Sequence, residues 1–215
     1  MQIDPAELPA GARYKLLIGG IVPRPIAFVS TVNTNGQSNL APYSFFAGVG
    51  SDPMTLLFCP ATQPDGRDKD SLRNALPPGE GGTGEFVVNV ATEAYAAKVS
   101  AAAEDLQHGV SEFMLTGLTE APCARVGAPW VAESPIAFEC RTVQVVRTNP
   151  GVPNAGNIVI GEVVWVHVAD EIVNERLHID PDALRAIGRM GGLTYSTTRD
   201  RFDMPRGRAA LERGV

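Results

Sequence analysis

Short apolar runs, alternating or continuous, recur along the chain and are punctuated by Gly, Pro, Asn and Asp. Pro25 to Val32 (PIAFVSTV) is β-branched and apolar and predicts a strand. Asn35-Gly36 follows, a pair that tolerates positive φ and so predicts a hairpin. Ser38 to Phe46 is the expected return strand, and Pro42 within it points to an edge or a bulge, because proline cannot donate to a ladder. Met54 to Cys59 (MTLLFC) is continuously apolar and reads as a strand buried on both faces. Lys69 to Leu76 predicts a short helix ended by Pro77-Pro78, and Gly79 to Gly84 a flexible connector. Glu85 to Ala91 predicts a strand, and Ala-rich Thr92 to Glu104 a helix with Thr92 as N-cap. Ser111 to Val131 is turn-rich. Pro135 to Arg147 and Asn157 to Ala169 form a long antiparallel hairpin across Pro150 to Gly156. Both parities of its second strand are apolar, so it is expected to be covered on both sides. Pro181 to Ile187 is a last short helix.

This order lacks the regular βαβ alternation of a parallel sheet. It predicts a mainly β fold, an antiparallel barrel that is closed or partly closed. The 215 residues show no repeat and no composition shift, so one domain over 1–215 is expected, with a core spanning about 14–195 and a tail over 196–215. A compact monomer of this mass exposes about 9,600 Å².

Charge narrows the partners. The net charge of −6 disfavours a nucleic-acid partner, which needs a positive field. No apolar run reaches a membrane span, and Met1 to Pro9 is polar, so neither a membrane partner nor a signal peptide is expected. From Arg199 onward five arginines face three acids, giving a tail of +2. The three cysteines, Cys59, Cys123 and Cys140, are far apart and predict free buried thiols in a cytoplasmic protein. No zinc-binding histidine pair and no GxSxG elbow occurs. His108 and His178 lie in polar segments, whereas His167 sits beside Trp165 on the long strand. No metal site is expected, and no catalytic side chain is named.

Small hydroxyl and amide residues gather at the ends of the first hairpin: Ser30, Thr31, Asn39, Tyr43 and Ser44. Arg67, Lys69, Asp70 and Ser71 follow at a helix start. Hydroxyls, a helix N-terminus and two cations suit a phosphorylated, hydrogen-bond-rich cofactor. The same residues also read as ordinary strand ends and an ordinary helix cap.

The sequence resembles the flavin reductase-like family of FMN-binding split barrels, which includes the flavoredoxins. The matching pieces, in the family's order, begin with PRPIAFVST at Pro23 to Thr31 and NLAPYSFF at Asn39 to Phe46. Ser51-Asp52-Pro53, KDSLRN at Lys69 to Asn74 and GEFVVNV at Gly84 to Val90 come next. Ser111-Glu112-Phe113, SPIAFEC at Ser134 to Cys140 and GRMGGLTY at Gly188 to Tyr195 complete the set. The resemblance implies a Greek-key split barrel that forms a homodimer and holds one FMN, or FAD, per subunit near the interface. Carried over, Phe28, Ser30 and Thr31 line the flavin ring with backbone and hydroxyl groups. Asn39, Ala41, Tyr43 and Ser44 flank the ring and ribityl chain. Arg67, Lys69 and Ser71 hold the phosphate, Asp70 orients that turn, and Arg24 is a further phosphate candidate. Tyr195 approaches the flavin from the same or the other subunit. The implied reaction is hydride transfer from NADH or NADPH to flavin, with a monooxygenase or another electron acceptor downstream. The alternative is a flavin-binding electron carrier without NAD(P)H turnover. The loop from Ala61 to Asp68 and the Gly79-to-Gly84 segment look longer than the family pattern, and Ser71 replaces a threonine while keeping the hydroxyl.

Overall fold

A computed structural model describes residues 1–107 and 109–212. In chain order the strands are β1 (Arg24–Pro25), β2 (Ala27–Val32), β3 (Ser38–Tyr43), β4 (Phe46–Ser51), β5 (Met54–Phe58) and β6 (Glu85–Val90). They continue as β7 (Glu120–Ala121), β8 (Trp130–Val131), β9 (Ile136–Arg147), β10 (Asn157–Val168), β11 (Ile187–Arg189) and β12 (Tyr195–Thr197). The α-helices are α1 (Ala10–Gly20), α2 (Asp70–Ala75), α3 (Ala96–Ala101), α4 (Glu112–Thr116), α5 (Pro181–Leu184) and α6 (Ala209–Glu212). Among the described residues, no helix is long and apolar enough to cross a membrane.

Seven strands form one antiparallel sheet in the order β3-β2-β6-β9-β10-β5-β4. The edge strands β3 and β4 are consecutive in the chain, so the sheet must curl to bring its ends together. Interior packing records that curl: Ala27, Tyr43, Phe58, Phe86, Cys140 and Val159, from six different strands, belong to one buried cluster. The rings of Tyr43 and Phe58 lie 5.2 Å apart, and those of Phe58 and Phe86 5.1 Å apart. This is a split barrel of antiparallel strands, as expected. Helix α2 plugs its interior with Leu72 and Ala75. A second cluster, with Phe28, Leu40, Tyr95 and Phe113, packs α3 and α4 on the outer face of β2 and β3. Strand β2 is therefore covered on both sides, with Ala27 and Val29 facing the interior and Phe28 facing outward.

The turn at Asn35-Gly36 forms as expected, with Gly36 at φ +80°. Pro42 does lie on an edge strand. The return strand, however, stops at Tyr43 rather than Phe46, and Phe46–Ser51 is a separate strand that the sequence pattern does not predict. Strand β5 buries Leu56 and Phe58 on one face, whereas Thr55 and Leu57 on the other are only half-buried, so it is not fully covered on both faces. Nor is β10, where Trp165 is 43% exposed. The stretch predicted as one helix from Thr92 is a 3₁₀ turn (Glu93–Tyr95) leading into α3, and the Thr92 side chain makes no cap bond. The Gly79-to-Gly84 segment is no loose connector. A Cβ on Gly82 would collide with three carbonyl oxygens at the end of α2, and Thr83 donates its N–H to Asn74 O at 2.8 Å. The segment wraps the helix end tightly. Helix α1 had no counterpart in the sequence reading; it has no buried residue, which removes the one-sided pattern that would mark it. His108 lies outside the described residues.

Candidate functional site: a cleft between strand β3 and helix α2

Residues Asn39, Ala41 and Tyr43 share one face of β3, as the two-residue period requires. They meet the start of α2, and together these elements wall a cleft of about 550 Å³. That volume falls within the roughly 300–1,000 Å³ of small-ligand and cofactor sites. Seven of the thirteen residues singled out above line it: Asn39, Ala41, Tyr43, Arg67, Lys69, Asp70 and Ser71.

The floor is polar and internally bonded. Asn39 donates from Nδ2 to Ser71 Oγ at 2.9 Å, and the Tyr43 hydroxyl also bonds with Ser71. Burial pushes the Tyr43 phenol up to about 12, so it stays protonated. Lys69 stands at the N-cap position of α2, solvent-exposed, and makes no ion pair among the described residues. Arg67 pairs with Asp65 at 2.6 Å, and Asp70 with Arg73. The opposite wall carries Glu104, Asp105 and Glu112. Glu112 is buried and accepts the Leu40 N–H at 2.8 Å; burial raises its pKa. Three cations and four carboxylates thus line the cleft, so its overall field is not strongly positive. The unpaired cation, Lys69, is the local exception. An anionic group is best received beside Lys69 and the Asn39–Ser71 floor, and hydroxyl donors beside the carboxylates.

Six of the predicted side chains lie elsewhere. Phe28 is in the outer core cluster. Ser30 donates to Pro129 O at 2.5 Å and accepts from Asn89 Nδ2 at 3.1 Å. Thr31 accepts from Asn74 Nδ2 at 2.9 Å. All three are fully buried, and their side chains do not line this cleft. The Thr31–Asn74 bond instead fixes α2, and with it Lys69 and Ser71, onto β2. Arg24 is 3% exposed and donates to Ile18 O, Ile21 O and Met190 O at 2.6, 2.7 and 2.9 Å, and to Ser44 Oγ at 3.1 Å. A guanidinium so committed is an internal clamp rather than a phosphate ligand. Tyr195 lies in the small sheet β1-β11-β12 with Arg189 4.4 Å over its ring. The acidic wall has no signature as a ligand-facing surface in the sequence: Glu104 and Asp105 lie in no motif, and Glu112, within the Ser111-Glu112-Phe113 piece, meets the cleft only through the packing of α3 and α4.

The chain matches the flavin reductase like domain over residues 19–191, and it belongs to that family. A protein of Deinococcus radiodurans described as uncharacterized is 41% identical over 94% of this chain and 88% of its own. Among solved structures, nitrilotriacetate monooxygenase component B from Bacillus cereus is 33% identical, with a TM-score of 0.88 over 95% of this chain and 98% of its own. The 2-nitrobenzoate 2-nitroreductase NbaA of Pseudomonas fluorescens is 28% identical, with a TM-score of 0.83 over 97% of both chains. The family places the chain among flavin-related oxidoreductases.

Proposed function

We propose that this chain binds FMN in the cleft between β3 and α2 and works as an NAD(P)H-dependent flavin reductase. The observation that carries the reading is the convergence of Lys69, Asn39 and Ser71 on one open cleft inside the family domain. The residues fit a mononucleotide. Lys69 supplies a charge that no internal carboxylate neutralises, Ser71 and Asn39 supply hydrogen-bonding groups, and Arg67 at the rim is mostly exposed and able to turn inward. Bound flavin supplies two-electron chemistry, accepting hydride from NADH or NADPH and passing electrons onward. The protein's part is to hold, orient and exclude water; the neutral Tyr43 phenol and the closed Asn39–Ser71 contact keep the floor fixed. No side chain need act as acid or base. A consumer of reduced flavin, a monooxygenase in the first instance, is the proposed partner, supported by the neighbour named as component B of such an enzyme.

A homodimer belongs to the same reading. The chain exposes 12754 Å², about a third more than the ~9,600 Å² of a compact monomer of its mass. Tyr14, Leu16 and Leu17 of α1, with Val143 and Trp165 of the long hairpin, are large apolar residues left in water.

The test is an absorbance spectrum of the purified protein after FMN addition, repeated anaerobically with NADH and then NADPH. Bound-flavin bands that bleach support the reading and name the donor. Bands that persist through both donors overturn the reductase half in favour of an electron carrier. Absence of FMN binding overturns the whole.

A further inference from the structure

Away from the cleft, two residues distant in sequence, Cys123 and His167, converge on the carboxylate of a third, Glu139. Cys123 Sγ, the Glu139 carboxylate and a ring nitrogen of His167 all lie within 4.8 Å of one another. Glu139 on β9 is fully buried, and its Oε1 is 2.6 Å from His167 Nε2 on β10. The N–H groups of Ala124, Arg125 and Val126 also donate to it, at 2.7, 2.6 and 3.2 Å. Those three bonds explain how Glu139 anchors the segment after Cys123. The Cys123 thiol bonds with Glu139 as well, so a thiol and an imidazole, both half-buried, close on the same carboxylate. Trp130 stacks on the imidazole at 4.6 Å and 11°, holding its plane. His167 also lines a second cleft, of about 460 Å³, with Trp130, Glu133 and Ser134, so solvent reaches that side.

We infer that Cys123, Glu139 and His167 form a binding site for one borderline divalent cation of the zinc class, with an open position toward the second cleft. One thiolate, one imidazole and one carboxylate are a donor set such ions accept. Tetrahedral bonds of about 2.0–2.3 Å separate ligand atoms by roughly 3.4 Å. Binding needs the 2.6 Å His167–Glu139 contact to open and the other pairs, all within 4.8 Å, to settle at that spacing. The backbone N–H groups on Glu139 remain as the outer bonds that orient a ligating carboxylate. On binding, the Cys123 S–H bond breaks, its proton goes to solvent and sulfur's electron pair goes to the ion. His167 offers its Nε2 pair with its proton on Nδ1. Without an ion, burial and the neighbouring Glu139 push the thiol up to about 12, so uptake releases a proton and weakens as pH falls.

The experiment uses the full-length, FMN-treated protein after chelation and dialysis, titrated with Co²⁺ and then challenged with Zn²⁺. Difference spectra against the cobalt-free sample remove the flavin background. The expected result is a thiolate-to-cobalt band in the near ultraviolet and tetrahedral d–d bands to the red of oxidised flavin. Both saturate at one equivalent and are abolished by Zn²⁺. Cys123→Ser loses the charge-transfer band, and His167→Gln weakens binding about tenfold or more, while circular dichroism and flavin content are retained. No tetrahedral bands with excess Co²⁺, or bands unchanged in Cys123→Ser, overturn the site. If His167→Gln does not fold, the parent spectrum and Cys123→Ser still decide the matter.

Discussion

Replacing Glu139 by glutamine keeps the shape of a fully buried side chain and removes its charge. The carboxylate accepts hydrogen bonds from four nitrogens, Ala124 N and His167 Nε2 at Oε1 and Arg125 N and Val126 N at Oε2. An amide has one acceptor oxygen. If it serves Arg125 and Val126, its NH₂ faces the Ala124 N–H at about the original 2.7 Å, donor against donor. One buried N–H then goes unsatisfied, at roughly 1–3 kcal/mol, and two charge-assisted bonds become neutral, at about 1 kcal/mol each. The sum is about 3–5 kcal/mol. For a chain of this length each kcal/mol lowers Tm by roughly 2–4 °C. The assay is urea unfolding with chelator present, at neutral pH and in acid. Desolvation alone raises the Glu139 pKa, but the backbone bonds and His167 outweigh it and hold the group below the usual carboxylate range. Its stabilisation is therefore complete above the unfolded-state pKa and lost as pH falls through the lower folded value. The gap between parent and Glu139→Gln should be widest near pH 7 and shrink in acid. A gap under about 1 kcal/mol at pH 7, or one that does not change with pH, refutes the reasoning.

Gly161→Ala places a Cβ inside contact distance of the Phe86 ring, 2.7 Å from Cε1, and 3.2 Å from Cys140 Cβ, so chemical unfolding should show a loss of about 1–3 kcal/mol. Lys69→Met should weaken FMN about tenfold in a fluorescence titration and leave riboflavin, which lacks the phosphate, unchanged; equal losses for both would remove Lys69 from the phosphate. Glu112→Gln keeps an acceptor for Leu40 N–H and removes a carboxylate that burial disfavours. Because that folded pKa is raised, the parent loses stability as pH rises through it, so the variant's relative stability should increase from acid to neutral pH in paired denaturation curves. Trp165→Asp should shift the protein toward monomer in sedimentation velocity if β10 lies in a dimer interface.

The pattern of strands was readable because each is bounded by its own chemistry: Asn35-Gly36 at one turn, Pro77-Pro78 after α2, and proline and glycine at Pro150 to Gly156. Lys69 and Ser71 were readable for the same reason, lying in a local motif that folds as a local turn. Which side a residue faces was less readable. On a strand with both faces covered, Phe28, Ser30 and Thr31 sit among apolar neighbours on either parity, so alternation does not tell a site from a core. Strand β4 was hidden because Gly48 and Gly50 carry no strand signal. The meeting of Cys123, Glu139 and His167 depends on the register of β9 with β10 and on a loop folding back over them, and no spacing along the chain encodes it.

The Arg24 side chain links stretches of chain that are made far apart in time. Its guanidinium holds the carbonyls of Ile18 and Ile21 at one end of the family domain and that of Met190 at the other. All seven strands of the large sheet are encoded before residue 169, so the barrel can assemble on an emerging chain while this closure is still incomplete. The Arg24 contact is then a latch across the two ends that cannot close until Met190 has been made. Clipping a few residues near Met190 should be felt at once around Ile18, on the far side of the sequence.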